Sequence, residues 1–198
     1  TVLYGVPGLF MSLSAAIEAA SQRDHDAAGA LACSPRVVCF AGEVFPPSGV
    51  QQLAMLLPDT RLFNLYGPTE TNVCTYHEVT PGELDGISEI PIGRACPYAR
   101  LAIIDERGAV IDHDGVGELV ASGPTCLDGE HHTRDRVERR GDVFYFRGRI
   151  DRMVKLRGYR VDPSEVEAAL CAHDAVREAA VVAIEDARVG RVLRAFVT

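Results

Sequence analysis

Apolar positions in the first third of the chain follow two rhythms. Thr1–Val6, Arg36–Phe40 and Arg61–Leu65 are short, dense apolar runs of strand length. Between them, Leu9, Phe10, Leu13 and Ile17 recur at helical spacing behind Pro7, and a second helical segment runs from about Pro47 to Leu57. Strands alternating with helices of this length predict a parallel sheet with flanking helices and right-handed crossovers. Such sheets bind ligands beyond the carboxyl ends of their strands, where Ala41-Gly42-Glu43 and Tyr66-Gly67-Pro68-Thr69-Glu70 fall. The middle third changes character: Arg100–Asp105, Gly117–Ser122 and Val143–Arg147 are short strands cut by Gly and Asp turns, an antiparallel or small β-barrel-like layer. The last 48 residues begin a fresh pattern. Arg152–Leu156 alternates, Asp162-Pro163-Ser164-Glu165 forms a capping box before a helix carrying Val166, Ala169 and Leu170, and strands follow at Ala179–Ile184 and Val192–Val197. The expected organisation is α/β: residues 1–99 as part of a large sheet subdomain, 100–148 as the β-rich layer, and 149–198 as a C-terminal, mobile α+β subdomain. The joint is Gly148–Asp151, with a hinge near 151.

Charge refines this picture. The 198 residues carry a formal net charge of −8, yet residues 136–160 hold nine Lys/Arg against three Asp/Glu, a local +6 that leaves −14 elsewhere. A basic strip on an acidic body suits a phosphate-bearing small ligand better than nucleic acid, which meets broader cationic faces with interleaved aromatics. The competing reading is a solvated, charged hairpin. Six cysteines (33, 39, 74, 96, 126, 171) lack any Cys-x-x-Cys pair, which points to reduced thiols and a cytoplasmic setting. No apolar run approaches the ~20 residues of a membrane span. The histidines show neither metal-ligand spacing nor a Ser-His-Asp pattern. Thr1 already lies in a β-like run and Thr198 ends another, as expected of a piece of a longer polypeptide.

The densest chemistry is Asn64-Leu65-Tyr66-Gly67-Pro68-Thr69-Glu70-Thr71, which puts an aromatic ring, two hydroxyls, a carboxylate and a glycine turn directly after a strand. Such a loop can stack on a base, hydrogen-bond a phosphate and hold a divalent cation, Glu70 being a hard oxygen ligand for Mg²⁺. Downstream come Gly117-Glu118-Leu119, Thr133-Arg134-Asp135, and Gly148-Arg149-Ile150-Asp151 continuing to Lys155-Leu156-Arg157-Gly158-Tyr159. In this order the segments resemble the adenylate-forming superfamily: adenylation domains of nonribosomal peptide synthetases, acyl-CoA synthetases and luciferases. The Asn-x-Tyr-Gly-Pro-Thr-Glu match leans toward the amino-acid-activating branch.

The resemblance implies ATP and Mg²⁺ as cofactors, and a carboxylic acid, most simply an amino acid, as substrate. Activation as an acyl-adenylate would precede transfer to a carrier-protein phosphopantetheine thiol. CoA as acceptor, or a catalytically incomplete module that binds nucleotide or protein, are the alternatives. Residue by residue it implies Thr69, Glu70 and Lys155 as catalytic, with Glu70 the Mg²⁺ ligand. Gly42, Glu43, Asn64, Tyr66, Gly67, Asp135 and Arg149 would face the nucleotide, Asp135 accepting from both ribose hydroxyls. Tyr4, Cys39, Ala41, Leu65, Val73 and Cys74 would line a small, mostly apolar acyl pocket. Asp151 would be the pivot, and Arg157 and Gly158 the face offered to the pantetheine arm. The chain departs from the family at His131-His132-Thr133-Arg134-Asp135, where the family carries Tyr-Arg-Thr-Gly-Asp, and the stretch from Gly123 to His131 is shorter. The Gly/Ser/Thr-rich phosphate loop and the amine-selecting Asp, both upstream in the family, are not in these residues. Nor is the Lys near the end of its small subdomain. These residues alone are therefore expected to adenylate poorly.

Overall fold

A computed structural model describes residues 1–23, 35–86, 88–156, 158–186 and 190–198. These residues form two compact units, Thr1–Gly148 and Arg149–Thr198.

The first unit opens with β1 (Val2–Gly5), α1 (Pro7–Arg23), β2 (Val37–Ala41), α2 (Pro47–Leu56) and β3 (Arg61–Tyr66). Strands β1, β2 and β3 pair in parallel, in that order, as the alternating pattern predicts. Two antiparallel strands that the pattern did not suggest extend the sheet: β4 (Thr75–Val79) beside β3, and the short β5 (Arg94–Ala95) beside β4. Alternation assigns the two faces. Val38 and Phe40 of β2 and Leu62 of β3 are fully or nearly fully buried in a core with Phe10 of α1 and Val50 and Leu53 of α2, so both helices cover one face. Phe40 meets Phe45 edge-on, centroids 5.0 Å apart. The register Tyr4↔Cys39↔Phe63 and Ala41↔Leu65 gathers the alternate residues on the opposite face.

The second sheet comprises β6 (Arg100–Ile104), β7 (Val110–Ile111), β8 (Gly115–Ser122), β9 (Glu130–Arg140) and β10 (Val143–Arg149), in the order β10-β9-β8-β6-β7. It is antiparallel, and among the described residues no ladder joins β10 to β7, so the layer is an open sheet. Its core holds Ile92, Ile103, Leu119, Val137 and Phe144. A stitch ties it to the first sheet: Gly93 and Phe144 exchange both backbone hydrogen bonds, at 3.1 and 2.8 Å. A side chain at Gly93, whose φ is +93°, would stand 2.0 Å from the Tyr76 carbonyl oxygen, so only glycine permits this approach.

The first part of the basic strip lies on the β9–β10 hairpin and the rest, from Arg152 onward, in the second unit; on the hairpin much of the charge is answered locally. Arg147 pairs with Glu89 and with Glu138, the latter at 2.7 Å; Arg140 pairs with Glu138 at 2.6 Å and lies over the Tyr145 ring. Arg140 first, and then Arg147, pull the Glu138 carboxyl down to about 2. For these positions the charged-hairpin reading replaces that of an open phosphate-binding strip.

The second unit contains β11 (Val154–Leu156), β12 (Tyr159–Val161), α3 (Pro163–Cys171), β13 (Ala179–Asp186) and β14 (Gly190–Val197). Both strand pairs are antiparallel. Asp162 caps α3 by accepting the Ser164 N–H at 2.8 Å, with Pro163 at the first helical position. Arg152 clamps Glu167 of α3 through paired contacts of 2.8 and 2.9 Å, and Glu167 also accepts the Val181 N–H.

Candidate active site

The loop after β3 carries the densest set of residues expected at the site. Its glycine is dictated by sterics: a Cβ on Gly67 would fall 1.7 Å from the Asn72 carbonyl oxygen and 2.7 Å from its carbon. The chain turns back through Thr71, which is fully buried and donates its hydroxyl to the Asn72 carbonyl at 2.9 Å. Asn72 closes the turn in the left-handed region, φ +56°, with its own side chain accepting the Val73 N–H at 2.7 Å. The Cys74 N–H then returns to the Tyr66 carbonyl at 2.8 Å. This compact turn leaves Thr69 exposed and the Glu70 side chain about a third exposed, with His131 Nε2 4.0 Å from its carboxylate.

Two residues expected at the nucleotide meet directly. The Tyr66 hydroxyl donates to Asp135 Oδ2 at 2.5 Å, joining segments 69 residues apart. Asp135 is 5% exposed, on a strand rather than in a solvated loop. Burial, and then the charge of Asp135, push the Tyr66 phenol well above its ordinary range, so it remains a neutral donor. Its ring packs against both the Ile92–Phe144 core and the small Cys74–Ala121–Cys126 cluster. Thr133 fixes the approach from below: its hydroxyl donates to the Leu119 carbonyl at 2.8 Å and accepts the Asp135 N–H at 3.1 Å.

The other expected residues fall into distinct places. Gly42 follows β2 at φ +92°, where a Cβ would meet the Val6 side chain at 3.8 Å, and Glu43 beside it is half-buried. Asn64 is occupied structurally, its amide donating to the Pro91 carbonyl at 2.7 Å. Tyr4, Cys39, Ala41 and Leu65 share the face of the first sheet opposite the helices, Tyr4 being 64% exposed. Val73 and Cys74 lie on the return of the loop. The Val73 carbonyl accepts the Tyr98 hydroxyl at 2.8 Å, while the Cys74 thiol is buried and pushed up to about 12, chiefly by that burial. Thr71, Thr133 and Glu118 stand within the motifs quoted from the sequence, which gave none of them an individual role; the structure shows each as a buried polar group.

In the second unit Arg149 and Asp151 form a bidentate pair, one contact at 2.6 Å, and Asp151 also accepts the Met153 N–H at 3.2 Å. Lys155 lies on β11, paired in register with Arg160. Gly158 turns the hairpin at φ +86° with nothing within 4 Å of a would-be Cβ. Arg157 lies outside the described residues. Among the described residues no cluster of three His, Cys, Asp or Glu could hold a metal, and no helix is long and apolar enough to cross a membrane.

Residues 1–129 match the family described as AMP-binding enzyme, and residues 165–198 match the AMP-binding enzyme C-terminal domain. The chain belongs to the AMP-binding enzyme family, within the adenylate-forming superfamily. It is similar to the L-proline--[L-prolyl-carrier protein] ligase of Streptomyces coelicolor, 42% identical over 92% of this chain and 36% of that protein. The D-alanine--D-alanyl carrier protein ligase of Lactiplantibacillus plantarum is 32% identical over 72% of this chain and 32% of that protein. Among solved structures, IdnL1 superposes with a TM-score of 0.83 at 26% identity, over all of this chain and 43% of that one. The adenylation domain AlmE of Vibrio cholerae, solved with glycyl-adenosine-5'-phosphate, gives 0.76 at 27% identity, over all of this chain and 40% of that one. The chain spans about a third of the length of the curated relatives it matches.

Proposed function

We propose that these residues belong to an enzyme that activates a small amino acid, with L-proline the first candidate, as its aminoacyl-adenylate, and passes the acyl group to a carrier-protein phosphopantetheine thiol. The 42% identity with an L-prolyl-carrier protein ligase supports the substrate class. The observation that carries the reading is the meeting of Tyr66 with Asp135, because it sets a buried carboxylate beside the strand-end loop where a nucleotide would lie.

In this reading Asp135 accepts the ribose hydroxyls, and Gly42, Glu43, Asn64 and Gly67 shape the nucleotide's surroundings. Thr69 donates to a phosphate oxygen of ATP. Glu70 is a hard oxygen donor that suits Mg²⁺, which when bound would shield phosphate charge. The half-open sheet face of Tyr4, Cys39, Ala41 and Leu65, continued by Val73 and Cys74, takes the amino-acid side chain. The division at 1–99, 100–148 and 149–198 assigns the second unit to the transfer half-reaction. Lys155, Arg157 and Gly158 serve that half, and Asp151 is the pivot. The Arg149–Asp151 pair engages Nε and Nη2 of Arg149, so any use of those two groups on a nucleotide would exchange that contact for another. A cytoplasmic setting completes the reading.

The test is ATP–pyrophosphate exchange on the full-length polypeptide carrying these residues, with L-proline, D-alanine and glycine in parallel. Exchange with one of them, reduced ~100-fold or more in Glu70→Ala with folding intact, is expected. Absence of exchange with every acid would instead favour a nucleotide- or protein-binding module. Loading of CoA in preference to a holo-carrier would move the acceptor.

A further inference from the structure

Strand pairing fails at one place in the second sheet, beside Asp135. On β8 the ladder advances two residues, from Glu118 to Val120, while on β9 it advances four, from Arg136 back to His132. Thr133, Arg134 and Asp135 therefore bulge opposite Leu119. A bulge re-aims side chains but strands backbone groups that then need other partners. Thr133 supplies one replacement, as described. The other comes from Glu118, whose Oε1 accepts the Arg134 N–H at 3.1 Å.

Two facts make that contact more than a surface ion pair. Glu118 is only 9% exposed, an uncommon place for a carboxylate. Arg134 stands in the left-handed region, φ +58°, where a residue with a Cβ is strained and glycine is not. The guanidinium of Arg134, at 3.9 Å, and His132 Nδ1, at 3.8 Å, approach the same carboxylate from the exposed side.

We propose that Glu118 is a positioning residue: it holds Arg134 in the left-handed conformation and so aims the Asp135 carboxylate. The inference rests on Asp135 binding the ribose, and it makes a specific claim of coupling. With arginine at 134 the tether is needed; with glycine, which adopts this backbone freely, it is not.

The experiment measures AMP affinity by calorimetry, hydrogen exchange of the 133–135 amides, and thermal melts. It compares wild-type full-length polypeptide with Glu118→Ala, Glu118→Gln, Arg134→Gly and the Glu118→Ala/Arg134→Gly double variant. Losing a charged acceptor at a strained turn should raise the Kd for AMP about tenfold in Glu118→Ala. Glu118→Gln, which keeps an acceptor oxygen, should retain most of the affinity. The double variant should return close to Arg134→Gly, with exchange at Arg134 and Asp135 fast in Glu118→Ala and slow again in the double. A Glu118→Ala protein that binds AMP like wild type, or a double variant as weak as Glu118→Ala, overturns the proposal. If Glu118→Ala does not fold, a folded double variant supports the coupling, and an unfolded one overturns it in favour of a plain core role. A wild type that does not bind AMP refutes the ribose assignment alone, and the exchange pattern still decides for or against the tether.

Discussion

Replacing Tyr66 with phenylalanine removes one oxygen and nothing else, which makes it the sharpest probe of the junction between the two sheets. The ring keeps its packing against the Ile92–Phe144 core and the cysteine cluster, so no cavity is expected. What is lost is a donor to the Asp135 carboxylate at 2.5 Å. A hydrogen bond to a charged group contributes about 1.5–3 kcal/mol. For a protein of this size each kcal/mol moves the midpoint by about 2–4 °C, so Tyr66→Phe should melt about 3–12 °C below wild type. The chain has no tryptophan, and far-UV circular dichroism is the natural readout. An alkaline series adds an independent check. Because the native phenol is held well above its ordinary value, near 10, the unfolded chain releases that proton first as pH rises. Wild type should then lose stability above pH ~10, with a slope of about 1.4 kcal/mol per pH unit for this one proton, a component missing from the variant. Equal melting temperatures together with equal alkaline slopes would refute the account of this contact.

Gly67→Ala forces the Asn72 carbonyl out of the way, since 1.7 Å is far inside any real contact. The expected cost is about 1–3 kcal/mol in stability and, with Thr69 and Glu70 shifted, a ~100-fold loss of pyrophosphate exchange; wild-type behaviour in both assays would discredit the turn geometry. Glu138, pulled from 4.5 to about 2 by Arg140 and Arg147, lends stability that is complete above pH ~4.5 and lost as pH falls toward ~2. Glu138→Gln should flatten the acid limb of a pH–stability curve, and high salt should shrink the difference; coincident limbs would mean that the network contributes nothing.

The first sheet was legible because its residues obey a simple rhythm. Val38, Phe40 and Leu62 are apolar at alternate positions, and Leu9, Phe10 and Leu13 share a helical stripe, so local pattern and final burial agree. Strand β9 was not, for a definite reason: its buried positions include Thr133, Asp135 and Val137, only one of them apolar. A strand that buries hydroxyl and carboxylate carries no hydrophobic alternation, and so gives no strand signal in the sequence. Strand β4 hid in the same way, burying Thr75 and Val79 around polar neighbours. The motif residues Tyr66 and Asp135 could be picked out from sequence, but their mutual hydrogen bond could not, because it depends on a bulge that no local signal announces. Arg134 is the converse case: its presence where the family carries glycine was visible, and the positive φ explains why that position matters.

The paired backbone bonds between Gly93 and Phe144 bear on anyone who would exchange segments between this scaffold and a relative. A transplant cut between the parallel strands and the later hairpin would import one half of that seam against a foreign partner. Donor segments that run unbroken from Asn64 through Phe144 keep the seam, and with it the alignment of the phenol and the carboxylate, in a single inherited piece.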